Sequence, residues 1–187
     1  MRSIIGYDPL SQIHMIDAPH TPNAATGPVP AGMQPSQPGH ACPGVPFLMG
    51  SETLHIVSIL DSFIGTPFLW NGESRSGADC GGLAVAVLRA LYGPQVPGRP
   101  APVIPSRPDL YAPVVERWLR DHFIPVPPEA LMPADVLHFR LSRGPHISVY
   151  YPADRHLNNI MGAPARLSPL RPWLRYLTGA FRFKGAN

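Results

Sequence analysis

Cys80 stands in the run Gly77-Ala78-Asp79-Cys80-Gly81-Gly82, directly ahead of the apolar stretch 83–92, so a loop turns into a helix at a cysteine. A helix N-terminus presents unpaired N–H groups and a partial positive charge, and both favour thiolate over thiol. The same N–H groups can hold an oxyanion once the thiolate has attacked a carbonyl. Asp79 is the expected helix cap, and Gly81 and Gly82 let a substrate carbonyl approach the backbone closely. Acyl transfer through a thioester is the chemistry such a placement serves. A lone cysteine is more often an inert packing residue, so the case depends on its partners.

A cysteine nucleophile needs a base, usually an imidazole held by a third polar group. Eight histidines are available. His14, His20 and His40 lie in a Pro-rich arm, His55 on a first helix and His122 at the end of a third, positions that suit surface or packing roles. His138 alternates within a strand, and His156 follows a turn, where solvation accounts for it. His146 differs, because it opens a strand after Arg143-Gly144-Pro145 and so sits at a sheet's end. On that strand His146, Ser148 and Tyr150 share one face, and Ile147, Val149 and Tyr151 the other. Across the hairpin, a three-residue loop puts Asn158 opposite Ser148 on the His146 face, whereas a four-residue loop selects Asn159. Asn158 is the preferred choice, since its amide oxygen can accept an imidazole N–H and fix the tautomer.

The elements that must position these groups follow from periodicity. Ser51 is the expected cap of a first helix, with Leu54, Val57, Leu60 and Ile64 on one face, ended by Gly65-Thr66-Pro67. The cysteine helix closes at Tyr92-Gly93-Pro94. Residues 95–108 read as proline-laden connector. A third helix is expected over 109–123, with Leu110, Val114, Trp118 and Leu119 inward and Pro113 in its first turn. From Pro133 the period becomes two: Leu137, Phe139 and Leu141 alternate with His138 and Arg140. Strands 146–151 and 155–161 follow around Pro152-Ala153-Asp154, and a last strand, 180–183, comes after a short helical or turn segment near Trp173. Helices first and antiparallel strands afterwards define an α+β domain.

The chain has 187 residues, room for one domain and a tail, and 26 of them are proline. Residues 1–50 read as a Pro-rich extended arm and 51–187 as the folded domain. The net charge of +3 is dispersed, so nucleic-acid binding is not indicated. Cys42 and Cys80 make at most one disulfide, which excludes a disulfide-built fold. No segment is long and apolar enough for a membrane span, and the N-terminus lacks the signal-peptide pattern. The histidines lack metal-ligand spacing, and no cofactor is expected.

Four segments in order, Gly65-Thr66-Pro67-Phe68-Leu69-Trp70-Asn71-Gly72, Asp79-Cys80-Gly81-Gly82-Leu83, Pro133-Ala134-Asp135-Val136-Leu137-His138-Phe139 and His146-Ile147-Ser148-Val149-Tyr150, resemble the NlpC/p60 cysteine peptidases. The resemblance spans about 51–183. Its closing part, from Leu170-Arg171-Pro172-Trp173 to Gly179-Ala180-Phe181-Arg182-Phe183, is most similar to cell-wall peptidases of phage tails and gene transfer agents. It implies a papain-like α+β core and hydrolysis of peptidoglycan stem peptides, typically between D-glutamate and diaminopimelate. Cys80 then matches the nucleophile, His146 the base and Asn158 the third polar position, often histidine in relatives. Phe68, Trp70, Asp79 and Gly81 border the oxyanion and substrate region. Two departures stand out. Phe68 occupies a position often held by tyrosine, and Gly81 one often held by serine; loss of a hydroxyl donor costs about 10²-fold in rate if nothing compensates. The implied setting is a virion tail, with peptidoglycan as substrate, the arm docked on tail-hub or tail-tip proteins, and synthesis in the host cytoplasm. The alternative is a structural tail subunit that keeps the peptidase fold with little or no activity.

Overall fold

A computed structural model describes residues 50–99 and 108–186. The arm and Cys42 therefore lie outside the described residues. Three helices come first: α1 (Ser51–Asp61), α2 (Cys80–Tyr92) and α3 (Pro108–His122). A small hairpin, β1 (Glu73–Ser74) with β2 (Gly77–Ala78), precedes α2. The main sheet is built from β3 (Phe123–Val126), β4 (Val136–Leu141), β5 (Gly144–Tyr151), β6 (Arg155–Asn158), β7 (Arg166–Pro169) and β8 (Leu177–Phe183). It is antiparallel throughout, in the order β3-β8-β4-β5-β6-β7. The expected α+β class holds.

Helix α2 is apolar on every side, and Gly81 through Leu88 are all buried. A helix without a polar face belongs at the centre of a core. It packs among Leu60 and Phe63 from the α1 region, Val115, Trp118 and Leu119 of α3, and Val136, Ile147, Val149, Tyr151 and Leu157 of the sheet. Alternation turns the neighbouring strand residues the other way. Leu137, Phe139 and Ala180 form a second, smaller core with Leu170, flanked by Tyr150 and Trp173. Trp173 belongs to the 3-10 turn Arg171–Tyr176, where a short helical segment is expected.

Several expectations need correcting. Gly50, not Ser51, is the N-cap of α1, and no side chain caps it. Leu54 is exposed, because the helix rolls to present Ile56, Ile59 and Leu60 to the core, and Ile64 is exposed because α1 ends at Asp61, before it. Leu110 is exposed as well. The inward face of α3 is Tyr111, Val115, Trp118 and Leu119: Trp118 and Leu119 as expected, with Tyr111 and Val115 in place of Leu110 and Val114. Pro113 is the sixth residue of α3 rather than part of its first turn. Strand β6 ends at Asn158, short of 161, while β3, β7 and the β1–β2 hairpin are additional. Strands of two to four residues carry too little alternation to register as period two.

Candidate active site

The cysteine's helix start is built as the sequence predicts. Asp79 is the N-cap, and its Oδ1 accepts from the Gly82 N–H at 2.9 Å. Its Oδ2 accepts from the Asn71 N–H at 2.8 Å and from Arg99 Nη1 at 2.6 Å. Arg99, 8 % exposed, also reaches Glu73 at 2.8 Å through Nε and the Gly72 carbonyl at 2.8 Å through Nη2. This buried guanidinium fastens the 71–79 loop to the first turn of α2. Burial alone would raise Glu73, yet the hydrogen bonds and charge of Arg99 hold it below the usual carboxylate value. Nothing in the sequence pattern of residues 95–108 marks Arg99, because its role comes from long-range pairing.

Asn159 braces the same loop from the sheet, donating to the Ala78 carbonyl at 2.8 Å. Phe68 bridges Ala78 in parallel fashion and meets Trp70 edge-to-face at 5.0 Å. Trp70 and Leu69 are exposed beside it.

Cys80 is partly exposed and makes no disulfide. Burial pushes its thiol up to about 11, and the charge of Asp79 adds to the rise. Backbone hydrogen bonds from Ile147 and Gly81, and the charge of Arg99, oppose it without prevailing. The expected depressed thiolate is thus not what the free protein holds: desolvation outweighs the helix start.

His146 is the third residue of β5 rather than its first, because Gly144 and Pro145, expected as loop, already pair with Leu141 and Arg140, and it is buried. Its ring contacts Phe139 at 6.0 Å and Trp173 at 5.4 Å between centroids. Burial, reinforced by His156 and His138, brings it down to about 3. Its Nε2 is buried without a hydrogen-bond partner, and no hydrogen bond joins it to Cys80 among the described residues. The Ile147 N–H at the sulfur nonetheless belongs to the residue next to His146, so the helix start and β5 adjoin.

The hairpin loop has three residues, with Tyr151 opposite Arg155 and Val149 opposite Leu157. Continuing that register puts Asn158 on the His146 face. Asn158 is fully buried, but its amide nitrogen lies 3.4 Å from Nε2 of His156 rather than on His146, and its Oδ1 has no partner. His156 is the residue that sequence reasoning undervalued. It is fully buried rather than solvated, its Nδ1 lies 2.8 Å from Ser148 Oγ, its ring packs on Trp173 at 5.0 Å, and burial brings it down to about 4. The register arithmetic that selects Asn158 places His156, two residues earlier, on the same face, so the signal was present. Gly81 lies in the buried first turn of α2, where a Cβ would stand 3.6 Å from Tyr111 Oη. Among the described residues no group of three or more His, Cys, Asp or Glu is placed to hold a metal ion.

A helical cysteine start beside an antiparallel sheet with histidines at one end is the architecture of NlpC/p60 domains, and comparison with solved structures finds that fold. NlpC2 from Trichomonas vaginalis superposes with TM-score 0.54 at 15% identity over 72% of this chain and 48% of its own. A protein described as similar to lipoprotein, NLP/P60 family, from Staphylococcus aureus subsp. aureus Mu50 gives TM-score 0.52 at 22% identity over 72% and 42%. NlpC1 from T. vaginalis gives 0.52 at 14% over 73% and 46%. The chain thus spans less than half the length of each. No protein-family model matches the chain, and no curated protein matches it.

Proposed function

We propose that the chain is a cysteine endopeptidase that hydrolyses peptide bonds in peptidoglycan stem peptides, between D-glutamate and diaminopimelate, and opens the cell wall locally as part of a phage tail. The supporting observation is the meeting of Cys80, first residue of α2, with β5 through the Ile147 N–H, which sets the sulfur beside the His146 segment. The NlpC/p60 fold and the four ordered motifs agree with that chemistry. The tail setting rests on the closing segment around Trp173 and on the Pro-rich arm, which would dock on tail-hub or tail-tip proteins.

In the reaction, Cys80 Sγ attacks the amide carbonyl and its proton passes to the His146 imidazole. The imidazolium then protonates the leaving amine as the C–N bond breaks, and water hydrolyses the thioester. Asn158 and His156 share the histidine's face of the sheet, and Phe139 and Trp173 pack on its ring. Replacing Cys80 by alanine is expected to abolish release of stem peptides from purified sacculi; undiminished release would refute the assignment.

One observation favours a second reading, a structural tail subunit with the peptidase fold and little activity. In the free protein the thiol and the imidazole are both neutral at physiological pH, about 11 and about 3, with no hydrogen bond between them among the described residues. An enzyme built this way must bring the pair together when substrate binds.

A further inference from the structure

Tyr111 projects from α3 toward the first turn of α2. Its Oη lies 3.6 Å from the point where a Cβ on Gly81 would stand, an ordinary contact distance. The hydroxyl makes no hydrogen bond among the described residues, and it is not sealed away with the buried unpaired atoms. Burial, with the nearby charge of Cys80 next, holds its ionisation above that of free tyrosine, so it stays an O–H donor throughout the working range. A half-buried donor with no hydrogen-bond partner among the described residues, beside the residue that follows a nucleophile, can serve a group that exists only during the reaction.

We propose that Tyr111 is a catalytic hydrogen-bond donor of this site, its hydroxyl binding the oxyanion formed when Cys80 attacks the scissile carbonyl. This rests on the reading of Cys80 as nucleophile. As the S–C bond forms, the carbonyl π pair moves to oxygen. Tyr111 keeps its proton and donates a hydrogen bond to that oxygen. Collapse restores the C=O and expels the amine with the proton carried by His146. Tyr111 thereby supplies from α3 the hydroxyl that Phe68 lacks. Gly81 fits the same arrangement, since any longer polar side chain there would stand beside Tyr111 Oη and compete for its hydrogen bond.

The test uses the full chain with Tyr111→Phe, which removes only a hydroxyl with no hydrogen bond among the described residues and should melt as the parent does. The probe is N-acetyl-alaninal, an aldehyde whose adduct with a thiol places an oxygen where the oxyanion forms. Its binding is read as protection of the Cys80 peptide from iodoacetamide, by mass spectrometry. The expected result is aldehyde affinity weakened about 10-fold or more and stem-peptide turnover lowered about 10²-fold. Alkylation without aldehyde should be unchanged. Unaltered aldehyde protection would overturn the proposal, as would absence of protection in the parent or an equal loss of alkylation in Tyr111→Phe. Active Cys80→Ala refutes the peptidase reading instead. Inactive Cys80→Ala with unaltered protection in Tyr111→Phe refutes the tyrosine alone.

Discussion

Asp79 shows how one side chain can serve both backbone and chemistry: one oxygen caps α2 at Gly82, and the other receives Asn71 and Arg99. Its charge stabilises the helix start and simultaneously opposes ionisation of the adjacent thiol. Arg99 offsets part of that opposition while locking the loop. The balance leaves Cys80 at about 11, so its alkylation by iodoacetamide should climb about tenfold per pH unit from pH 7 toward 10, following the thiolate fraction. A rate already on its plateau below pH 7 would show that the cysteine and His146 pair as ions in solution. That outcome would favour the enzyme over the structural subunit. Here the sequence revealed Cys80 and Asp79 because they sit at an element's edge with a local signature, and His146 because it follows the Gly144-Pro145 turn signal. It concealed Arg99 and Tyr111, whose roles depend on contacts across 20 or more residues.

At the scale of the element, the two glycines after Cys80 have opposite reasons to be there. A methyl group at Gly81 meets ordinary contacts, Tyr111 Oη at 3.6 Å and Asp79 Oδ1 at 3.7 Å. A methyl at Gly82 would overlap the Gly72 carbonyl oxygen and the Arg99 guanidinium. Gly81→Ala should therefore stabilise the fold by roughly 0.5 kcal/mol through helix propensity. Gly82→Ala should destabilise it by about 2 kcal/mol through displaced backbone and a loosened arginine clamp. Thermal melts of the two variants decide it, and equal shifts would contradict the packing. The sequence made α2 easy to find, since it is apolar throughout and bounded by Asp79 and Gly93. It placed Trp118 and Leu119 of α3 inward but chose Leu110 and Val114 over Tyr111 and Val115, because both pairs satisfy apolar periodicity equally well and only packing chooses.

For the molecule as a whole, three neutral buried histidines set the response to acid. His138, His146 and His156 all lie below the free imidazole value through burial, the last two at about 3 and about 4. Between pH 6.5 and those values the unfolded chain binds protons that the folded chain does not. The unfolding free energy therefore rises with pH in this window, and stability is lost as pH falls. Melting temperature should drop from pH 7 to pH 5, above the carboxylate range, and His156→Gln should flatten the slope; a level profile in the parent would refute the buried-neutral assignment. The α+β architecture was legible from helices preceding a change of period. The edge strands were not, being four residues each and carrying prolines, Pro125 and Pro169, that interrupt any alternation.

The sheet order has a consequence for how the protein is made. Strand β8 lies between β3 and β4 and pairs with both, Phe183 with Phe123 on one side and Phe181 with Val136 on the other. During translation, β3 and β4 leave the ribosome long before the strand that joins them. Each then has an unpaired backbone edge until residue 183 emerges. The nascent chain must therefore keep two open edges from sticking to neighbours, and a ribosome that stalls before β8 releases a sheet divided through its interior.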